Sequence, residues 1–175
     1  LSDADVEPEF LAAWRLAQMG SSRRDLERDT AWTNTVRELH PGVFALRVLR
    51  REACARLLRQ IDSARDRELE RGGRLSSPNS MHRHGVLLSV LGLDALLADM
   101  TTRWVRPIAA HVLPQFNGAT LSAHHGYLVE YARDKDERLA FHVDDSDVTF
   151  NLCLSDSAEG AELTMLGLRC DQHRD

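Results

Sequence analysis

The feature that most constrains the fold is a change of hydrophobic period near residue 121. Leu93, Leu96, Leu97, Met100, Trp104, Ile108 and Val112 recur in steps of three or four. This is the spacing that lines one face of a helix. Pro107 has no N–H to donate, so it kinks this helix or opens a new one, and Pro114 ends it. From Leu121 the period drops to two, through HHGYLVEY, LAFHVD, VTFNLCL and AELTML, with polar turns such as RDKDE and SDSAEG between them. Alternation of this kind predicts short, half-buried strands. Helices first and consecutive strands afterwards predict an α+β chain, with helices buttressing an antiparallel sheet or jelly roll rather than alternating βαβ units. A closed jelly roll needs about eight strands and the pattern supplies about five, so the chain is read as incomplete at its C-terminus.

Upstream, residues 1–41 mix short apolar patches such as FLAAWRLAQM with charge, and read as a helical or irregular extension closed by Pro41-Gly42. The remaining residues, 42–175, read as one partial domain. It opens on GVFALRVL, a strand pattern over 42–49, followed by REACARLLRQIDSARDRELE, where Cys54, Leu57, Leu58 and Ile61 mark an amphipathic helix stopped by Gly72-Gly73. RLSSPNSMHRHG reads as a polar loop.

Composition excludes several function classes. Hydrophobic residues at 43% and charged residues at 28% fit a globular chain with a core. No apolar run approaches the roughly 18 residues of a membrane span. The net charge of −5, and arginines interleaved with acids in RRDLER and RDRELERGGR, argue against a nucleic-acid partner. Three cysteines without CxxC spacing suggest neither a disulfide framework nor a zinc knuckle, so a reducing, cytoplasmic compartment is the default. The start LSDADVEPEF lacks an initiator methionine and a signal-peptide pattern, which places the natural N-terminus upstream and leaves targeting open.

The chemistry concentrates in AFHVDDSDVTFNLCL. On a strand, His142 and Asp144 point to one face with Cβ atoms about 6–7 Å apart, and both can reach one cation. Imidazole plus carboxylate is the donor mix of the ferrous facial triad, although two ligands alone also suit zinc or manganese. In the next strand Thr149, Asn151 and Cys153 share a face of small uncharged polar groups, which suits a pocket lining more than a solvated surface. Other candidates are weaker. His124 and His125 are adjacent and face opposite ways, so they cannot share an ion. His82 and His84 sit in a polar loop, and DDSD lacks the glycine and terminal glutamate of a calcium loop. Cys153 reads as a small buried filler without a basic partner.

Tyr131, the run from His142 to Thr149, Asn151 to Leu154, and Gly160-Ala161-Glu162-Leu163 together resemble the prolyl-4-hydroxylase-like branch of the iron(II)- and 2-oxoglutarate-dependent dioxygenases. Within that branch the pattern is most similar to the 2-oxoglutarate and iron-dependent oxygenase domain proteins. The resemblance is specific over residues 121–166 and looser back to PGVFALRVLRREACARLL and PNSMHRHGVLL. It implies a double-stranded β-helix in which His142 and Asp144 bind Fe(II). It further implies 2-oxoglutarate as co-substrate, ascorbate as reductant, and oxidative decarboxylation coupled to C–H hydroxylation. Tyr131 then contacts the co-substrate, and Asn151 and Cys153 line its pocket. Ala161 stands where a second glycine is common.

The resemblance also implies a distal histidine and a basic residue holding the far carboxylate of 2-oxoglutarate. Only 33 residues follow His142, and His173 is the one later histidine. The expectation is therefore a bidentate remnant that binds iron weakly and turns over poorly. Two alternatives stand beside it: a non-catalytic jelly-roll interaction module in which His142 and Asp144 make a structural hydrogen bond, and a zinc-filled hydrolase. The substrate, a peptidyl side chain or a small molecule, is not legible, and neither is the oligomeric state.

Overall fold

The computed structural model describes residues 1–79, 81–116, 118–155 and 162–165. Three short helices open the chain: α1 (Pro8–Gln18), α2 (Arg23–Leu26) and α3 (Thr30–Thr35). Each start has a local cause. Pro8 occupies the first turn of α1, where its missing N–H costs nothing. Ser22 caps α2 by accepting from the Asp25 N–H at 3.3 Å, and Asp29 caps α3 by accepting from Ala31 at 2.8 Å and Trp32 at 3.3 Å.

Strand β1 (Arg37–His40) pairs antiparallel with β2 (Val43–Ala45), with Arg37 opposite Ala45 and Glu38 opposite Phe44. Gly42 turns this hairpin with a φ of 77°, a conformation that costs glycine little. The break expected at Pro41-Gly42 is thus a hairpin turn. β1 itself was not expected, because RELH is exposed throughout and carries no hydrophobic alternation.

Helix α4 (Arg51–Glu70) runs as its periodicity predicts, burying Ala53, Leu57, Ile61 and Ala64. Gly72, at a φ of 76°, ends it. β3 (Val86–Leu87) follows the histidine-rich loop. α5 (Asp94–Met100) then passes through one π-helical segment, Thr101–Val105, into α6 (Arg106–Val112). Pro107 explains the π segment. It cannot donate to the Arg103 carbonyl, and the ladder widens ahead of it, with the Arg106 N–H reaching the Thr101 carbonyl. The Arg103 carbonyl instead accepts the indole N–H of Trp14 at 2.5 Å.

The Leu93–Val112 series was expected to pack on the sheet. It packs largely on α1 instead. Trp104, 2% exposed, lies 4.8 Å from Trp14 and 5.9 Å from Phe10 between ring centroids, and Met100 and Ile108 join the same cluster with Val6, Leu26, Trp32 and Val48. A second cluster holds Leu57, Ile61, Ala64, Val86 and Leu91, and each large member contributes about 1.5–3 kcal/mol by burial. The two clusters share Leu49 and Leu96 as partly buried neighbours.

β3 pairs antiparallel with β4 (Tyr127–Leu128), Val86 opposite Leu128 and Leu87 opposite Tyr127. A Cβ at Gly85 would lie 2.9 Å from the Leu128 carbonyl oxygen and from Pro78 Cδ, so the loop before β3 presses on β4 at a position only glycine fits. Beyond β4, Tyr131 and Asp136 form an isolated parallel bridge. Residues 140–154 make no ladder among the described residues, and burial alternates only from 151 on: Leu152 and Leu154 are half-buried against the first and second clusters, while Asn151 and Cys153 are exposed. Cys153 is therefore not a buried filler. Its thiol reaches the Ser155 carbonyl at 3.5 Å from an exposed position. Gly160, Ala161, Cys170 and His173 lie outside the described residues. No helix among the described residues is long and apolar enough to cross a membrane.

Candidate metal centre

His142 and Asp144 come together, although the strand expected to carry them is not formed over 140–154. His142 Nε2 and Asp144 Oδ1 lie 3.2 Å apart, with the side chains about one-third exposed. The outer atom of each group is tied. His142 Nδ1–H donates to the Ala140 carbonyl at 2.8 Å, which fixes the ring and leaves Nε2 facing the carboxylate. Thr149 donates its hydroxyl to Asp144 Oδ2 at 2.5 Å, and Ser146 Oγ lies 3.0 Å from the Thr149 hydroxyl. A histidine with one nitrogen on a carbonyl, beside a carboxylate with one oxygen hydrogen-bonded, is the usual outer arrangement of metal ligands. Two donors about 2.1 Å from one ion and at right angles stand about 3.0 Å apart, so the observed separation fits a cis pair. Among the described residues no group of three or more His, Cys, Asp or Glu side chains gathers tightly enough to hold a metal ion.

Behind this pair stands a layer that sequence reasoning missed. His82, read above as part of a polar loop, is 3% exposed. Its backbone N–H and that of Met81 both donate to Asn79 Oδ1, at 3.0 and 2.9 Å, and its Nδ1–H donates to the same oxygen at 3.2 Å. Burial pushes its pKa below the ordinary histidine value. Asp136 opposes that push, His142 adds to it and Asp144 opposes it, so His82 lies within electrostatic reach of both candidate ligands. A neutral imidazole with its proton on Nδ1 offers a lone pair on Nε2, and the Tyr131 hydroxyl stands 3.4 Å from that atom.

Tyr127 also belongs here. Its ring lies 5.5 Å from His82 and 5.6 Å from His125, and burial raises its pKa, with Asp144 adding to the rise. Tyr131 is shifted up as well, first by burial, then by Asp136 and Tyr127. The available signal was strand spacing: Tyr127 and Tyr131 are four residues apart and share a face in an alternating segment. Nothing comparable marks His82, whose burial depends on the long-range β3–β4 pairing.

Two clamps hold the layer. Asp136, 8% exposed, accepts from the His84 backbone N–H at 3.0 Å and from its Nδ1–H at 3.3 Å. These contacts, the backbone one first, hold the Asp136 carboxyl below its usual value. On the other side Arg65 of α4 donates to Glu130 at 2.6 Å, and Lys135 meets the second Glu130 oxygen. Of the expected co-substrate residues, Tyr131 contacts His82. Asn151 and Cys153 are exposed and have no hydrogen bond to Tyr131, His142 or Asp144 among the described residues.

The profile of the OGFOD2-like domain matches residues 3–118, well over half of the chain. The chain belongs to this family of 2-oxoglutarate and iron-dependent oxygenase domain proteins. Among curated relatives, the Arabidopsis thaliana protein CP2, named a 2-oxoglutarate and iron-dependent oxygenase domain-containing protein, is 39% identical over 83% of this chain and 37% of its own length. The Arabidopsis thaliana protein ICU11, of the same description, is 37% identical over 78% of this chain and 34% of its own. The Mus musculus 2-oxoglutarate and iron-dependent oxygenase domain-containing protein 2 is 31% identical over 96% of this chain and 46% of its own. The chain therefore spans less than half the length of these relatives. No solved structure matches it.

Proposed function

We propose that this OGFOD2-like chain carries the proximal half of an iron(II)- and 2-oxoglutarate-dependent dioxygenase site, built on a jelly-roll scaffold, with His142 and Asp144 as metal ligands. The observation that carries the reading is the 3.2 Å approach of His142 Nε2 to Asp144 Oδ1, with the outer atom of each group already engaged. When bound, Fe(II) and 2-oxoglutarate supply oxidative decarboxylation coupled to hydroxylation of a substrate C–H bond, with ascorbate as reductant.

The chain's own residues have distinct tasks. Ala140 and Thr149 hold the imidazole and the carboxylate so that their free atoms converge, and converging donors lose less freedom when an ion arrives. Tyr131, whose hydroxyl lies 3.4 Å from His82 Nε2, is assigned to a carboxylate of the co-substrate. Asn151 and Cys153 keep a role on the co-substrate side only if further chain covers their exposed face. The substrate is a peptidyl side chain or a small molecule. The domain names of the relatives support the cofactor assignment.

The natural full-length product should bind Mn(II) or Fe(II) anaerobically, and His142→Ala should abolish that binding together with succinate formation. Unchanged metal affinity in His142→Ala rules the assignment out. A second reading draws on the same 3.2 Å contact, which is also a His–Asp ion pair when both ring nitrogens carry protons: a non-catalytic module with a structural pair. Metal-free wild-type protein by elemental analysis, together with normal folding and partner binding in His142→Ala, selects it.

A further inference from the structure

Three arginines are half-buried among the described residues, and two of them have carboxylate partners. Arg65 meets Glu130 at 2.6 Å, and Arg103 meets Asp3. Arg106, at the head of α6, differs. Its Nη2 donates to the Leu121 carbonyl, its Nε is buried, and among the described residues that Nε has no hydrogen-bond partner and the guanidinium no acid. A guanidinium drawn partly out of water costs free energy unless an anion faces it.

Arg106 also lines an open cleft of about 300 Å³ between the end of α1 and α6. α1 contributes Ala17 and Gln18, and α6 contributes Pro107, Ala110 and His111 beside Arg106. His111 is fixed there: its Nε2–H donates to the Ala17 carbonyl at 3.0 Å, and its ring meets Trp32 edge-on at 5.9 Å. That bond occupies a carbonyl at the C-terminal end of α1 which would otherwise repel an anion. None of the residues lining the cleft is an acid. The cleft thus offers one cation without a counter-charge, small apolar surfaces and an amide.

We propose that this cleft is a binding site for a small organic carboxylate, with Arg106 as the anchoring cation. A carboxylate matches the planar fork of a guanidinium, and Pro107 with the alanines takes a short hydrocarbon tail. The site shares no residue with the candidate metal centre, so it does not depend on the assignment of His142 and Asp144.

The test uses the natural full-length product without metal, sodium hexanoate as the probe, and ligand-observed NMR as the readout. Wild type should bind hexanoate saturably, and hexanol at the same concentration should not displace it. Arg106→Gln keeps an amide N–H for the Leu121 carbonyl and removes the charge, and should weaken hexanoate about tenfold or more. Arg106→Lys should fall between the two, since an ammonium keeps the charge and loses the fork. Ala110→Leu suits a helix, fills the cleft and leaves both ring and guanidinium in place, and should weaken hexanoate at least as much as Arg106→Gln. His142→Ala should bind hexanoate as wild type does. Thermal melting of each variant identifies any that does not fold, and should Arg106→Gln be one, Ala110→Leu and Arg106→Lys decide.

Lack of saturable binding to wild type overturns the inference, and so does unchanged affinity in a folded Arg106→Gln or Ala110→Leu variant. Displacement by hexanol would make the cleft merely apolar, and full displacement by sulfate at matched ionic strength would make it a non-selective anion pocket. Either result overturns the carboxylate assignment. Loss of hexanoate binding in His142→Ala would move the carboxylate to the proposed metal centre and overturn it as well.

Discussion

The indole N–H of Trp14 lies 2.5 Å from the carbonyl oxygen of Arg103, the oxygen that Pro107 leaves without its usual helical donor. One side chain of α1 thereby repairs a fault in the α5–α6 helical run while its ring packs on Trp104. Trp14→Phe keeps most of the ring contact and strands the carbonyl. It should cost about 1–3 kcal/mol in urea or thermal unfolding. A loss below a few tenths of a kcal/mol would mean that water or the widened ladder already satisfies Arg103.

Thr149 binds the far oxygen of Asp144 and touches no ion in the proposed site. Thr149→Val preserves shape and removes that hydrogen bond. Metal affinity should fall about tenfold to a hundredfold with stability nearly unchanged, as is usual when an outer partner of a ligand is lost. Equal losses of affinity and stability would point to a folding defect.

Asp5 carries the clearest acid-side dependence. The Ser2 backbone N–H, first, and the Arg56 guanidinium hold its pKa at about 2, against an ordinary 3.8. A carboxyl whose folded pKa is depressed releases protons more readily folded than unfolded. Its contribution is therefore complete above about pH 4 and disappears as pH falls towards 2. Urea midpoints between pH 5 and pH 2 should decline less steeply in Asp5→Asn than in wild type. Identical slopes would remove Asp5 from the account.

Gly118 faces the backbone of α6, and a Cβ there would come within 2.2 Å of the Ala109 carbonyl oxygen. Backbone cannot swing aside as a side chain does. Gly118→Ala should destabilise the helical core by about 1–3 kcal/mol or more. A thermal melt matching wild type would show that the 3₁₀ turn at Gly118–Thr120 gives way freely.

What could be read from the sequence follows a physical divide. Helix α4 was legible because Leu57 and Ile61 repeat at the helical period and Gly72-Gly73 close it, all within one local window. Pro107 announced a disturbance, and the π segment before it is the form that disturbance takes. β1 escaped because RELH is solvent-exposed on all sides, so its ladder bonds to β2 left no hydrophobic trace. At the site, spacing singled out His142 and Asp144, but the strand that spacing implied is not formed over 140–154. His82 was not legible. Its neighbours are polar, and what buries it is the pairing of Val86 with Leu128, a contact some forty residues distant in the chain. Asn151 and Cys153 followed the expected alternation but face outward, because Leu152 and Leu154 took the inward positions.

The division of the interior into two clusters that meet at Leu49 and Leu96 has a dynamic consequence. The aromatic cluster around Trp104 sits at the helical end, whereas the β3–β4 loops and the histidines they carry hang from the smaller aliphatic one. Amide protons near Val86 and Leu128 should accordingly exchange with deuterium through partial openings that leave Phe10 and Ile108 protected, so this scaffold can loosen around its chemistry without dissolving its anchor.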